Sequence, residues 1–123
     1  MRFSFLKFVV PAVAASLAFA APVKAETLTW HIRSDYPYVV SLEFYSQSRN
    51  HAWPGGGKVY VLDDSNAHTY NLSCNYGESI CFGAWVRGES DQYWGVGAED
   101  SQYCTDCCYP CDGGETGLRI LNP

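Results

Sequence analysis

Basic residues are scarce in this chain. Eight Lys and Arg stand against thirteen Asp and Glu in 123 residues, and Arg2, Lys7 and Lys24 all fall in the first 25 positions. Beyond that segment five scattered basic residues remain, and the net charge becomes −8 with His neutral. Phosphate binding needs clustered Lys and Arg, so the composition argues against nucleic acid and against an anionic membrane surface. Helical periodicity is missing as well: no window repeats its apolar residues every three to four positions.

Catalytic templates are also missing. There is no G-x-S-x-G elbow and no H-E-x-x-H. The stretch "GGGK" lacks the earlier glycine of a phosphate loop, because Ala52 holds that place, and Val59 stands where a magnesium-binding Ser or Thr belongs. The three histidines, His31, His51 and His68, are spread along the chain. No cofactor is expected, and the chain reads as non-enzymatic.

The one long apolar run is short. It extends from Phe8 to Ala21, is interrupted by Pro11 and follows a basic start. Val23-Lys24-Ala25 then supplies a small-x-small site before Glu26. These are the parts of a secretory signal peptide of bacterial style, and the run is below the roughly 20 residues of a membrane span. The expected organisation is a signal peptide over 1–25 and a single domain over 26–123, secreted or periplasmic, with no membrane anchor after cleavage.

What is abundant is two-residue alternation. "TLTWHIR" sets Leu28, Trp30 and Ile32 on one face, and "YVVSLEFYS" does the same with Val40, Leu42 and Phe44. "KVYVL", "HTYNLSC", "SICFGAWV", "QYWGVGA" and "GLRIL" continue the pattern, separated by turn-forming stretches such as "WPGGG" and "DDSNAH". β-Branched and aromatic residues alternating between turns predict strands. The pattern predicts an all-β fold: a small, disulfide-stapled antiparallel β-sandwich of about seven short strands with a cysteine-rich C-terminal loop. A hairpin is expected between Ser79–Val86 and Gln92–Ala98.

Cysteine is the other abundance. Cys74, Cys81, Cys104, Cys107, Cys108 and Cys111 form an even set behind a signal peptide, and "CTDCCYPC" packs four of them into residues 104–111. That predicts three disulfides. A bond between adjacent Cys107 and Cys108 would close a strained ring, so it is excluded, and twelve of the fifteen connectivities stay open. Cys74 and Cys81 can bridge each other or each reach the tail cluster. A zinc site is awkward because the two C-x-x-C knuckles abut with no spacer. A redox couple lacks the helix N-terminus that activates its thiol.

The aromatic residues offer the binding candidates. On the expected hairpin, Trp85 and Tyr93 share a second face with Gly83, Gly95 and Gly97, where a ring can lie over a glycine. Trp53, in the turn-rich "HAWPGGG", is the tryptophan most expected at the surface. Such rings beside Glu43 or Asp91 suit sugar rings, although they serve equally as a second core layer. "DDSN" and "DGGE" read as solvated turns and not as calcium loops. The expected function is an extracytoplasmic module that binds a glycan or a protein surface. The alternative is a metal-binding or thiol-redox protein using the C-x-x-C-C-x-x-C cluster.

Overall fold

The computed structural model describes residues 22–123. The expected signal peptide therefore lies outside the described residues except for its last four positions. Nine strands and one 3₁₀ turn follow. Seven of the strands are the alternating runs: β1 (Ala25–Ser34), β2 (Val40–Ser46), β4 (Tyr60–Leu62), β5 (His68–Asn75), β6 (Ser79–Val86), β7 (Glu89–Gly95) and β9 (Glu115–Leu121). The other two, β3 (Ala52–Trp53) and β8 (Cys108–Pro110), are too short to show alternation.

The strands form two sheets. The smaller is β5-β1-β9, in which β1 runs antiparallel to β5 and parallel to β9. In the larger sheet β2 and β6 are central. One flank of β2 carries β4 and β3, and one flank of β6 carries β7 and β8. The strands are thus arranged four across, with each outer position shared by two short segments.

The core lies between the sheets and is built from the apolar rows that alternation picks out. Leu28, Trp30 and Ile32 of β1 and Leu72 of β5 face Val40, Leu42 and Phe44 of β2 and Ile80, Phe82 and Ala84 of β6, all buried. Trp30 is the hub: its ring centroid lies 5.1 Å from that of Phe44, 5.8 Å from Phe82 and 5.3 Å from Tyr109. Each such side chain contributes about 1.5–3 kcal/mol on burial, modest for so small a domain, which is where covalent cross-links matter.

All six cysteines are paired: Cys74–Cys111, Cys81–Cys108 and Cys104–Cys107. Cys74 and Cys81 each reach the tail, so the first bond links the smaller sheet to the chain leaving β8. The second joins directly opposed residues of β6 and β8. Three disulfides point to an oxidising extracellular or periplasmic environment. Among the described residues, no helix is long and apolar enough to cross a membrane.

Candidate functional site

The outer face of the larger sheet carries the predicted aromatic pair. Trp85 and Tyr93 are directly opposite on β6 and β7, so their side chains leave the same face. The hairpin differs slightly from expectation: its second strand starts at Glu89 and ends at Gly95, with a register shift after Trp85. On the other side Trp85 is opposite Ser41, and Ser41 is opposite Val61. The result is one row across four strands, Val61–Ser41–Trp85–Tyr93. Tyr93 and Val61 are 43% and 40% exposed, Trp85 is partly buried, and Ser41 is buried between them.

Trp53 is not part of this face, and the expectation of an exposed loop tryptophan is corrected. Its two-residue strand pairs with the end of β2, which sets Trp53 opposite Phe44 on the core side. It is only 8% exposed, and its indole Nε1 donates to the Ser73 carbonyl at 3.0 Å. The strand was too short to read in the sequence, and the neighbouring "PGGG" suggested an open loop.

The next row along the sheet is Glu43–Gly83–Gly95. Gly83 does receive a ring, but the ring is Tyr45: a side chain at Gly83 would meet it at 2.9 Å and would also run into the Gly97 carbonyl. Tyr93 packs instead beside Gly97. The segment after β7 thus folds back over the outer face, and the 3₁₀ turn Ala98–Asp100 sits next to Tyr45. The Glu99 N–H donates to the Tyr45 hydroxyl at 2.9 Å, and Gln47 Nε2 donates to Asp100 at 3.1 Å. Glu99 and Asp100 hold left-handed backbone (φ 56° and 54°), a conformation that non-glycine residues adopt only when their surroundings impose it.

A cleft of about 510 Å³ opens here, lined by Glu43, Tyr45, Arg49, His51, Glu99 and Asp100. Burial raises the pKa of the Glu43 carboxyl; the Tyr45 hydroxyl bonds to it and opposes that shift, and the nearby Glu99 charge adds to it. Burial and the Glu43 charge push the Tyr45 phenol up, so it stays protonated. Arg49, which also lines the cleft, is engaged by Glu78 through two hydrogen bonds, and the remaining charged side chains named there are the three carboxylates. The cleft therefore presents a polar, net acidic wall beside the Trp85–Tyr93 row. Glu43 was legible as a flanking acid. Arg49, His51, Glu99 and Asp100 come from separate loops and carried no local signal.

Other polar groups find local partners. His31, on the outer face of the smaller sheet, lies between Thr69 (3.0 Å) and Glu115 (2.6 Å), with Thr69 and the exposed Leu118 as its cross-strand neighbours. Asp64 accepts from the Asn66 N–H and pairs with His68, and Asp112 accepts from the Gly114 N–H, so both acidic stretches close their own turns. Among the described residues, no group of three or more His, Cys, Asp or Glu is placed to hold a metal ion.

No protein-family model matches the chain, and neither the curated proteins nor the solved structures searched include a match.

Proposed function

We propose that this is a secreted or periplasmic, non-enzymatic binding module that recognises a glycan on the outer face of its larger sheet. The observation that carries the reading is the row Val61–Ser41–Trp85–Tyr93 lying beside the acidic wall that begins at Glu43. An aromatic strip on a rigid sheet packs against the CH face of a sugar ring. Carboxylates alongside accept its hydroxyls. Four strands fix the rings before binding, which lowers the entropy lost on association. Export follows from the signal peptide expected over 1–25, and cleavage after Ala25 leaves β1 intact except for its first residue.

The test is retention of the exported protein on cellulose, chitin and peptidoglycan sacculi, measured by depletion from solution. Retention on at least one of these, lost in Trp85→Ala while the fold persists, is the expected result. Failure to be retained on any of them, or retention unchanged in Trp85→Ala, overturns the glycan reading and leaves a protein surface as the partner to seek.

A further inference from the structure

We propose that the Cys104–Cys107 disulfide is a reversible redox modification site, opened and closed by external dithiols, while the other two disulfides act as staples. The proposal is independent of the glycan reading and rests on how differently the three bonds are placed.

Position in the fold separates them first. Cys74 and Cys111 are both buried; Cys81 is buried, and its partner Cys108, although partly exposed, is held within paired strands. Cys104 lies outside every strand and is partly exposed, between Tyr103, which is 90% exposed, and the exposed Thr105 and Asp106. Loop size separates them next. Cys74–Cys111 and Cys81–Cys108 span 37 and 27 positions, whereas Cys104–Cys107 spans three. A disulfide that closes a long loop restricts the unfolded chain strongly, and one that closes a tiny loop restricts it little. By linkage, whatever stability a disulfide lends the fold also protects that disulfide from reduction. The short bond is therefore the least protected.

An external thiolate attacks the Cys104 sulfur, because Cys107 is fully buried. The Cys104–Cys107 bond breaks, and Cys107 leaves with the electron pair and takes up a proton. A second external thiolate attacks the mixed disulfide and releases Cys104, so two electrons have passed from an external dithiol, now a disulfide, to the pair. The Cys107 sulfur lies 4.0 Å from that of Cys108, but attack on it would close the strained ring of adjacent cysteines. Attack on the Cys81 sulfur would instead free Cys108, so a first label on Cys108 reports scrambling.

The loop keeps its place without the bond. The Phe82 N–H donates to the Cys107 carbonyl at 3.0 Å, and Arg119 donates to the Asp106 carbonyl at 2.7 Å. The Asp106 carboxylate, 3.7 Å from the Cys104 sulfur, repels a thiolate there. The reduced pair rests as thiols, which makes the site a substrate of thiol–disulfide oxidoreductases and not an oxidoreductase itself.

The experiment titrates the full exported protein with dithiothreitol, quenches with iodoacetamide, and reads intact mass and labelled peptides. A species with two labels, on Cys104 and Cys107 and with unchanged near-ultraviolet circular dichroism, should build up before any further labelling. In Cys104→Ser/Cys107→Ser that early species should vanish, the other four cysteines remaining unlabelled over the same range. First labelling at Cys81, Cys108, Cys74 or Cys111 overturns the proposal. So does a direct jump from no labels to six, or early labelling of the double variant.

Discussion

Arg49 holds Glu78 through two parallel hydrogen bonds, Nε to Oε2 at 2.6 Å and Nη2 to Oε1 at 3.1 Å. The pair ties the loop after β2 to the turn between β5 and β6. The backbone of Glu78 extends the junction to the tail, since its carbonyl accepts from the Cys111 N–H at 2.8 Å. Glu78 is buried, while Arg49 keeps one side to solvent. A buried carboxylate persists only when its oxygens are occupied, and here the Asn75 N–H adds a further bond at 2.9 Å.

This junction sets an acid limit on stability. Burial alone would raise the Glu78 pKa, but the bonds from Arg49, Asn75 and Ser46 outweigh it and bring it from 4.5 down to about 2. A depressed carboxyl pKa stabilises the fold above pH 4.5, and that stabilisation is lost as pH falls toward 2. The difference corresponds to about 3 kcal/mol. Urea unfolding of the wild type should weaken steeply across that window. Glu78→Gln should start roughly that much less stable at pH 7 and show a flatter acid limb; a parallel pH profile would refute the assignment.

Gly83 is fixed by what covers it. A β-carbon there would collide with the Gly97 carbonyl and the Tyr45 ring. Gly83→Ala is expected to cost about 2 kcal/mol or more, since backbone and an anchored ring must both move. It should also release the Glu99–Tyr45 hydrogen bond, seen as faster amide exchange at Glu99. Gly117→Ala, with open space around the added methyl, is the matched control and should leave both readouts unchanged.

The sheets were legible because alternation is a local signal and burial enforces it. Each of the seven runs became a strand, and the rows of Leu28 and Trp30, of Val40 and Phe44, and of Ile80 and Phe82 all turn inward. Trp85 opposite Tyr93 was legible for the same reason. The disulfide pattern was not, because it depends on β8 docking beside β6, and three residues carry no periodicity. Trp53 was misplaced through its own two-residue strand. The cleft around Tyr45 was invisible, since it is assembled by the loop after β2 and the turn after β7, more than 50 positions apart in the chain.

The Cys74–Cys111 bond should be the strongest staple. It spans 37 positions and joins the smaller sheet to the tail leaving the larger one. In the chain-entropy account such a loop stabilises by about 4 kcal/mol, against about 2 kcal/mol for one of three or four residues. Cys74→Ser/Cys111→Ser should therefore lower the melting temperature far more than Cys104→Ser/Cys107→Ser. Equal losses would show that the bonds act through local packing and not through the unfolded chain.

Glu43 should behave oppositely to Glu78. Burial, helped by Glu99, raises its pKa, so the folded state holds this proton more tightly than the unfolded chain does. Stability then declines as pH rises above 4.5, and ionised Glu43 is a burden on the fold at neutral pH. Glu43→Gln removes the charge, keeps an oxygen to accept from Tyr45, and should raise the melting temperature at pH 7 but not at pH 4. The same change deletes the carboxylate proposed to accept sugar hydroxyls, so retention on the polysaccharide that binds wild type should fall. A more stable variant with weaker retention is what a binding site maintained against the interest of the fold produces. If Glu43→Gln were destabilising at pH 7, the carboxylate would instead be part of the scaffold, and the binding face would have to be drawn around Trp85 and Tyr93 alone.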